Sequence, residues 1–196
     1  MSDDARLVFP RAEYQDRLRA VRRQMAARRI DLLIVDETEH LAYLAGWHAS
    51  GSRYHGCLVP ADGEPVMVFR RLDEPAFLER SWLRERVCFA DTEDPVEAMA
   101  SAITARGWAA ARIGVETDSH YLTVQTYEAL RRALPRATFV EFATVLRELR
   151  LWKSPREIEY LRRAAAIADQ AMREAVAAVS EGVSERAFFT LYHEPD

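Results

Sequence analysis

Apolar positions in the first 150 residues alternate between helical spacing and short continuous runs. Residues 13–29 predict an amphipathic helix, because apolar side chains recur there every three or four positions in a mostly polar, charged stretch. These side chains are Tyr14, Leu18, Val21 and Met25. The next run, DLLIV at 31–35, is continuous and apolar, which is typical of a strand buried on both faces.

A hairpin is predicted further along the chain. The apolar runs GCLVP (56–60) and VMVF (66–69) flank the segment ADGE (61–64). Asp-Gly between two apolar runs favours a tight antiparallel connection, because glycine accepts the positive φ that such turns need. VCF, at 87–89, is a further short strand candidate.

The same alternation continues towards residue 151. The segment DPVE at 94–97 has the features of a helix start: a capping aspartate, proline at the first helical position and glutamate three residues after the cap. Strands are predicted at RIGVE (112–116) and TFVEF (138–142), with a helix opening at Thr123 between them. Residues 1–151 are therefore predicted to form an α/β domain with a mixed sheet flanked by helices.

A second region begins near residue 152. Ser154, Pro155 and Glu157 form the pattern of a capping box with proline at the first helical position. The helix they start is long, with apolar residues at intervals of three and four as far as Val179, and Gly182 ends it. Residues 152–196 are predicted to be the beginning of a second domain.

Composition and charge narrow the classes of function. Lys and Arg number 27 and Asp and Glu 31, for a net charge of −4, and the two signs are mixed along the chain. This balance argues against nucleic acid or a membrane as the main partner. Cys57 and Cys88 lie in apolar runs without a Cys-x-x-Cys motif, which favours reduced core thiols. Together with an acidic start that does not resemble a signal peptide, this predicts a cytoplasmic protein.

Candidate binding residues lie in two places. His40, His48 and His55 are close in sequence, but spacings of eight and seven residues match no metal-ligand motif, which favours loop and strand-edge histidines. The segment WHASGSRYH, at 47–55, forms a loop of the kind in which α/β proteins place ligands. Arg70 begins an arginine pair that directly follows a strand, and this pair fits either an acidic ligand or surface ion pairs.

Three acidic residues, Asp36, Glu116 and Asp118, lie at predicted strand ends. Carboxylates in such positions could hold magnesium for phosphodiester cleavage. The acidic net charge and the lack of a basic segment argue against a nucleic-acid substrate, so a nuclease is the least favoured alternative. The sequence also lacks P-loop, Rossmann, Gly-x-Ser-x-Gly and His-Glu-x-x-His motifs.

Several stretches, taken together, resemble one family. They are RAEYQDRLRAVRRQMAARRIDLLIV (11–35), HLAYLAGW (40–47), GCLVPADGEPVMVFRR (56–71), ARIGVETDSHYLT (111–123) and LRELRLWKSPREIEYL (146–161). They resemble the creatinase/prolidase N-terminal domain and its junction with the pita-bread catalytic domain. This is the architecture of Xaa-Pro aminopeptidases such as aminopeptidase P, of prolidases, of creatinase and of ectoine-hydrolase-like enzymes.

The resemblance implies a ribonuclease-H-like α/β domain over 1–151 and the first helices of an incomplete, truncated pita-bread domain over 152–196. Catalysis in this metallopeptidase family belongs to the C-terminal domain, where most members bind two divalent metals such as Mn, Co or Zn, and creatinase works without metal. Those ligand positions lie beyond this chain, so we assign it no metal, no other cofactor and no catalytic residue. The final segment, AFFTLYHEPD (187–196), departs from the family pattern, and we expect the chain to end soon after the catalytic domain begins.

The resemblance also implies a role. In creatinase-like relatives the loop equivalent to 47–55 directs an arginine to the substrate carboxylate in the partner subunit, and Arg53 is the best match. Tyr54, His55 and Arg70 complete the predicted substrate-binding set. We expect an inactive substrate-capping and dimerisation domain, a homodimer, from a hydrolase that cleaves C–N bonds in small peptides or amides. The alternative from another class is a free-standing binding or interaction module for a small carboxylate.

Overall fold

The computed structural model describes residues 6–49, 51 and 53–190. Within this range the chain divides into two compact units, one up to Leu151 and one from Trp152 onward. The strands of the first unit are β1 (Leu32–Val35), β2 (Gly56–Pro60), β3 (Val66–Arg70), β4 (Arg86–Phe89), β5 (Arg112–Val115) and β6 (Thr138–Glu141). Its α-helices are α1 (Arg11–Ala27), α2 (Thr38–Ala45), α3 (Glu74–Arg80), α4 (Pro95–Ala105), α5 (Val124–Ala133) and α6 (Val145–Leu151).

The strands form one six-stranded sheet in the order β4-β3-β2-β1-β5-β6. β2 runs antiparallel to both of its neighbours, β1 and β3. The other neighbouring pairs are parallel, so five strands point in one direction and β2 points in the other. This arrangement confirms the predicted α/β class and the mixed sheet.

Both faces of the sheet are covered, which explains why its central strands are apolar throughout. In β1, Leu33 and Val35 belong to a core shared with α1, α2, α3 and α6, whereas Leu32 and Ile34 belong to a core shared with α4 and α5. Successive side chains of a strand point to opposite faces, so a strand between two helical layers needs apolar residues at every position. All four β1 side chains are buried.

The predicted turn and cap signals are present. The Asp94 side chain accepts hydrogen bonds from the backbone N–H groups of Val96 and Glu97 at the start of α4, and the Thr123 side chain caps α5. Gly63 adopts a φ of +93° in the turn between β2 and β3, a conformation that disfavours a side chain. These local signals were sufficient to place the hairpin and both helices.

Two helices were not predicted. α2 has only eight residues and no side-chain cap, so its sequence shows little helical periodicity and no capping signal. It ends at Gly46, whose backbone is in the left-handed region. α3 has seven residues and begins around a proline. The cysteines also differ from each other: Cys57 is buried as predicted, whereas Cys88 is only partly buried, and both are free thiols.

The second unit begins with α7 (Pro155–Ala178), followed by α8 (Glu185–Thr190). The capping box predicted for α7 is present: Ser154 accepts from the backbone of Glu157, whose side chain accepts from the backbone of Ser154. None of the residues of α7 is buried. In the described part of the chain, no helix combines the length and the apolar character needed to cross a membrane. Residues 191–196 of the segment predicted to depart from the family pattern lie outside the described range.

Candidate functional site

One end of the sheet collects most of the polar side chains singled out from the sequence. Because all strands except β2 share one direction, the carboxyl ends of those strands and the amino end of β2 lie at the same end of the sheet. We call this end the carboxyl edge. It receives Arg70 at the end of β3, the segment 53–55 before β2, Asp36 after β1 and Glu116 after β5.

The carboxyl edge contains a change in strand order. From β1 the chain continues to β2 on one side of β1, and after β4 it returns to place β5 on the other side. In open α/β sheets, ligands bind outside the carboxyl ends of strands where the order reverses in this way. Asp36 and Glu116 follow β1 and β5, so they mark this position.

The arginine side of the edge is built around the loop after β4. Arg53 donates from Nη1 to the carbonyl oxygen of Asp91 and from Nη2 to the carbonyl oxygen of Glu93, and each donor–acceptor distance is 2.8 Å. Arg70 donates to both carboxylate oxygens of Asp91, at 2.5 Å from Nε and 3.2 Å from Nη2. The guanidinium groups of two predicted substrate-binding residues therefore converge on one loop. Arg70 makes the ion pair that the sequence allowed, with an Asp91 side chain that is 63% exposed.

Tyr54 and His55 point into the protein rather than to its surface. The Tyr54 hydroxyl is buried and has no hydrogen-bond partner among the described residues. The His55 ring is buried, and Nδ1 donates to the carbonyl oxygen of Arg53 over 2.8 Å, which assigns the proton of the neutral ring to that nitrogen. Burial lowers the pKa of His55, chiefly by removing water from the imidazolium. The side chains of Tyr54 and His55 therefore hold the segment 53–55 against the interior of the protein.

A buried acidic cluster lies beside them. Asp36, His40 and Glu116 are 1%, 3% and 2% exposed. His40 Nδ1 lies 2.5 Å from Glu116 Oε1, a short contact between an imidazole and a carboxylate. Both carboxylate oxygens of Asp36 and the second oxygen of Glu116 accept no hydrogen bond from the described residues. Buried carboxylate oxygens in this condition are rare, because losing water without a replacement hydrogen bond costs free energy.

In this cluster, the pKa values of two adjacent carboxyl groups, those of Asp36 and Glu37, shift in opposite directions. Burial raises the pKa of Asp36 to about 7, and the negative charges of Glu116 and Glu37 add to this effect. The hydroxyls of Ser119 and Tyr54 lie close enough to oppose the rise, although neither satisfies hydrogen-bond geometry with Asp36. At neutral pH the Asp36 carboxyl is therefore partly protonated.

Glu37, one residue along, behaves in the opposite way. Burial acts to raise the pKa of Glu37, but hydrogen bonds from the His120 backbone, from Glu39 and from the His120 ring lower it overall. The His120 N–H lies 2.9 Å and its Nδ1 3.1 Å from Glu37 Oε2. Adjacent carboxyl groups whose environments separate their pKa values in this way are typical of functional sites and also of buried structural networks.

The histidines and carboxylates do not fit a metal site. His40 lies on α2 and is buried, His48 is exposed, and His55 is buried next to Tyr121, so the interpretation of His40 as a loop or strand-edge residue was wrong. Across the described range, no group of three or more His, Cys, Asp or Glu side chains converges closely enough to hold a metal ion. We therefore derive no metal-dependent step from these residues.

Sequence reasoning selected Arg53, Tyr54, His55 and Arg70 as substrate-binding residues from two separate segments and did not connect them with the acidic cluster. A usable signal was present, because Asp36 and Glu116 each directly follow an apolar strand. If those strands are parallel neighbours, their first polar residues must meet at one edge. The sequence does not reveal that β1 and β5 are neighbours, and this pairing brings the two carboxyl groups together.

The fold defines this chain as an α/β domain of the kind found in prolidases. It is similar to the structure of prolidase from Thermococcus sibiricus, with a TM-score of 0.74 and 21% identity over 89% of this chain and 47% of that one. It is also similar to the isolated creatinase/prolidase N-terminal domain of an X-Pro dipeptidase from Streptococcus pyogenes, with a TM-score of 0.56 and 20% identity over 65% of this chain and 93% of that one.

The chain belongs to the creatinase/prolidase N-terminal domain family, whose model matches residues 17–152. Among curated proteins, the ectoine hydrolase of Halomonas elongata is 34% identical over 166 residues. That match covers 80% of this chain but 42% of the relative. The chain thus spans less than half the length of this relative, and the resemblance identified from the sequence is confirmed.

Proposed function

We propose that this chain is the non-catalytic N-terminal part of a hydrolase that cleaves C–N bonds in Xaa-Pro dipeptides or small amides, and that it caps a partner subunit's active site. Membership of the family supports the class of enzyme. The observation that carries the capping role is the convergence of Arg53 and Arg70 on the Asp91 loop at the carboxyl edge.

The proposed role of these arginines is to bind the carboxylate of the substrate. A guanidinium presents a planar fork that matches the two oxygens of a carboxylate. Arg70 makes this kind of pair with the Asp91 carboxylate, so a substrate carboxylate would compete with Asp91 for its guanidinium. Residues 152–196 are proposed to begin the catalytic domain, where the divalent metal pair of the full-length family is expected. Several large apolar side chains of α7 are exposed, and such a face is suited to pack against the rest of the catalytic domain or against a second copy of the chain.

Magnitudes separate this proposal from the free-standing carboxylate-binding module. Two hydrogen-bonded charged pairs contribute about 3–6 kcal/mol before the cost of association, about 4 kcal/mol or more, is subtracted, whereas a Kd of 1 mM requires a net gain of about 4 kcal/mol. A capping domain that supplies only the arginine contacts should therefore not saturate with millimolar carboxylate. A complete binding module would supply further contacts and would saturate.

The experiment measures binding and turnover on the purified chain. Xaa-Pro dipeptides and small cyclic amides are added with and without Mn²⁺, Co²⁺ or Zn²⁺, and binding is followed by NMR chemical shifts. We expect no turnover, no saturation below 1 mM and a dimer by light scattering. Turnover would refute the non-catalytic role, and saturable binding abolished by Arg53→Lys but retained in the control Arg131→Lys would favour the module.

A further inference from the structure

A polar hollow beside the edge strand β4 is not explained by substrate capping. It has a volume of about 380 Å³, which is large enough for a small ligand. The residues that line it come from the segment that leads into α3, from the segment that leads into β4 and from β4 itself; they are Arg71, Glu74, Arg84, Glu85, Arg86 and Cys88. All of these side chains except the cysteine carry a charge, so the hollow is suited to a charged ligand.

We propose that this hollow, called here the arginine hollow, binds a phosphate group through Arg71, Arg84 and Arg86. The phosphate is either the free anion or the end group of a small phosphorylated molecule. The proposed site does not rest on the capping role, because all of its residues belong to the first unit and none of them is assigned to substrate binding.

The register of β4 explains how its residues come to share the hollow. Arg86 and Cys88 are two positions apart, so they lie on one face of the strand. Val87 and Phe89 belong to the core shared with α4 and α5, whereas Cys88 packs against the core on the opposite face, which α3 covers. Arg86 and Cys88 therefore lie on the α3 side of β4, where the hollow is.

Backbone carbonyl groups hold the three arginines in place. Arg71 donates from Nη2 to the carbonyl oxygen of Cys88 over 3.2 Å. Arg84 donates from Nη1 to two carbonyl oxygens of the segment 81–83, at 2.6 and 3.0 Å, and Arg86 donates from Nη1 to the carbonyl oxygen of Arg84 over 3.0 Å. Anchored guanidinium groups lose less conformational freedom when a ligand binds, which favours binding.

The number of guanidinium groups favours phosphate over a carboxylate. A carboxylate has two oxygens and is matched by a single guanidinium fork. A phosphate group presents three acceptor oxygens and a charge of about −1.5 to −2 at neutral pH, so it can bind several arginines at once. A guanidinium also has more N–H groups than the contacts of Arg71 to the backbone use.

The two glutamates of the hollow moderate its charge without cancelling it. Arg86 donates from Nε to Glu74 Oε1 over 2.7 Å, so a phosphate has to share Arg86 with this carboxylate. Glu85 lies 4.0 Å from Arg106, an arginine that does not line the hollow. Three arginines against two glutamates leave a formal charge of +1 on the lining. Because the hollow is open to solvent, we expect its affinity to fall as the ionic strength rises.

The first test is an NMR titration of the whole chain at constant pH and ionic strength. Sodium phosphate, the phosphomonoester glycerol 3-phosphate and sodium acetate are added separately, and the backbone amide shifts of residues 71 and 84–88 are followed. We expect saturation with phosphate, with the phosphomonoester or with both, and none with acetate at equal concentration. Saturation with phosphate identifies the free anion as sufficient, whereas saturation with the phosphomonoester alone means that the organic part contributes. Saturation with neither, or equal binding of acetate, would overturn the proposal.

Matched variants show whether the arginines bind the anion. Arg71 is exposed, so Arg71→Gln should fold normally, and it should weaken phosphate binding about tenfold, as expected for the loss of one charged hydrogen bond. The control Arg131→Gln removes an exposed arginine from α5 and should leave the affinity unchanged. Equal weakening in both variants would mean a general attraction of anions to the protein and would refute a specific site.

The thiol of Cys88 offers a second readout in the wild-type protein. Burial raises its pKa and Glu74 adds to the rise, whereas Arg86 and Arg71 oppose it, as expected for a thiol beside these groups. The rate of alkylation by anionic iodoacetate is compared with that by neutral iodoacetamide. The ratio cancels the ionisation of the thiol, because both reagents attack the same thiolate. We expect a ratio several-fold higher than for free cysteine and a decrease when phosphate is added. A ratio equal to that of free cysteine, unchanged by phosphate, would contradict an anion site at this position.

Discussion

Replacing Asp36 by asparagine should change the stability of the protein in opposite directions at low and at high pH. The variant is expected to be less stable than the wild type near pH 4 and more stable near pH 8. Burial raises the pKa of this carboxyl group from its ordinary value of 3.8 to about 7. Between these values the folded state binds a proton that the unfolded state has lost. The stability contributed by this proton is therefore complete below pH 4 and lost as the pH rises to about 7.

The size of the effect follows from the same values. The pKa of Asp36 in the folded protein and its ordinary pKa differ by about 3 units, and at about 1.36 kcal/mol per unit this corresponds to roughly 4 kcal/mol of stability. Asparagine avoids this loss but buries an amide without ideal partners, which costs about 1–2 kcal/mol. We expect the variant to be less stable by about 1–2 kcal/mol at pH 4 and more stable by roughly 2–3 kcal/mol at pH 8.

Urea denaturation at several pH values, followed by tryptophan fluorescence, provides the measurement. Trp47 and Trp82 lie in the first unit, so their emission reports the unit that contains Asp36. The lowered pKa of Glu37 makes the domain lose stability in acid, and this contribution is present in both proteins. Two parallel stability curves that never cross between pH 4 and pH 8 would refute the reasoning.

Other changes test the packing of the first unit. Arg17→Met should lower the free energy of unfolding by about 2–4 kcal/mol in urea denaturation, because this buried guanidinium lies among a carboxylate, a backbone carbonyl and aromatic rings. The exposed control Arg19→Met should lower it by less than about 0.5 kcal/mol. Gly114→Ala should cost about 1–3 kcal/mol by the same assay, because its Cβ would lie 3.0 Å from a buried isoleucine. In native protein an alkylating reagent followed by mass spectrometry should modify Cys88 first, because burial raises the pKa of Cys57 to about 12; equal modification of both thiols would contradict the burial pattern.

The sequence predicted those elements that carry local signals. The Asp-Gly turn identified the β2–β3 hairpin, and the caps at Asp94 and Ser154 located two helix starts to the residue. α3 was missed because a seven-residue helix has too few turns to show a period. Family resemblance, rather than periodicity, supplied the overall architecture.

The candidate site was predictable only in part. Arg53 and Arg70 were identified as binding candidates, but their shared partner, the loop at Asp91, depends on the parallel pairing of β3 with β4. The interior position of Tyr54 likewise follows from the pairing of strands that are distant in sequence. Hydrophobic patterns report which side of an element is buried, and they do not report which polar groups a sheet brings together.

β4 forms one edge of the sheet, and this position has a consequence for association with other chains. The outer edge of a sheet offers unpaired backbone groups on which a foreign strand can grow, and proteins discourage such growth with charged side chains. Here Arg86 lies on β4 and pairs with Glu74, and Arg71 donates to the carbonyl oxygen of Cys88. Charges placed in this way are expected to discourage a second chain from pairing with β4, one of the two outer strands of the sheet.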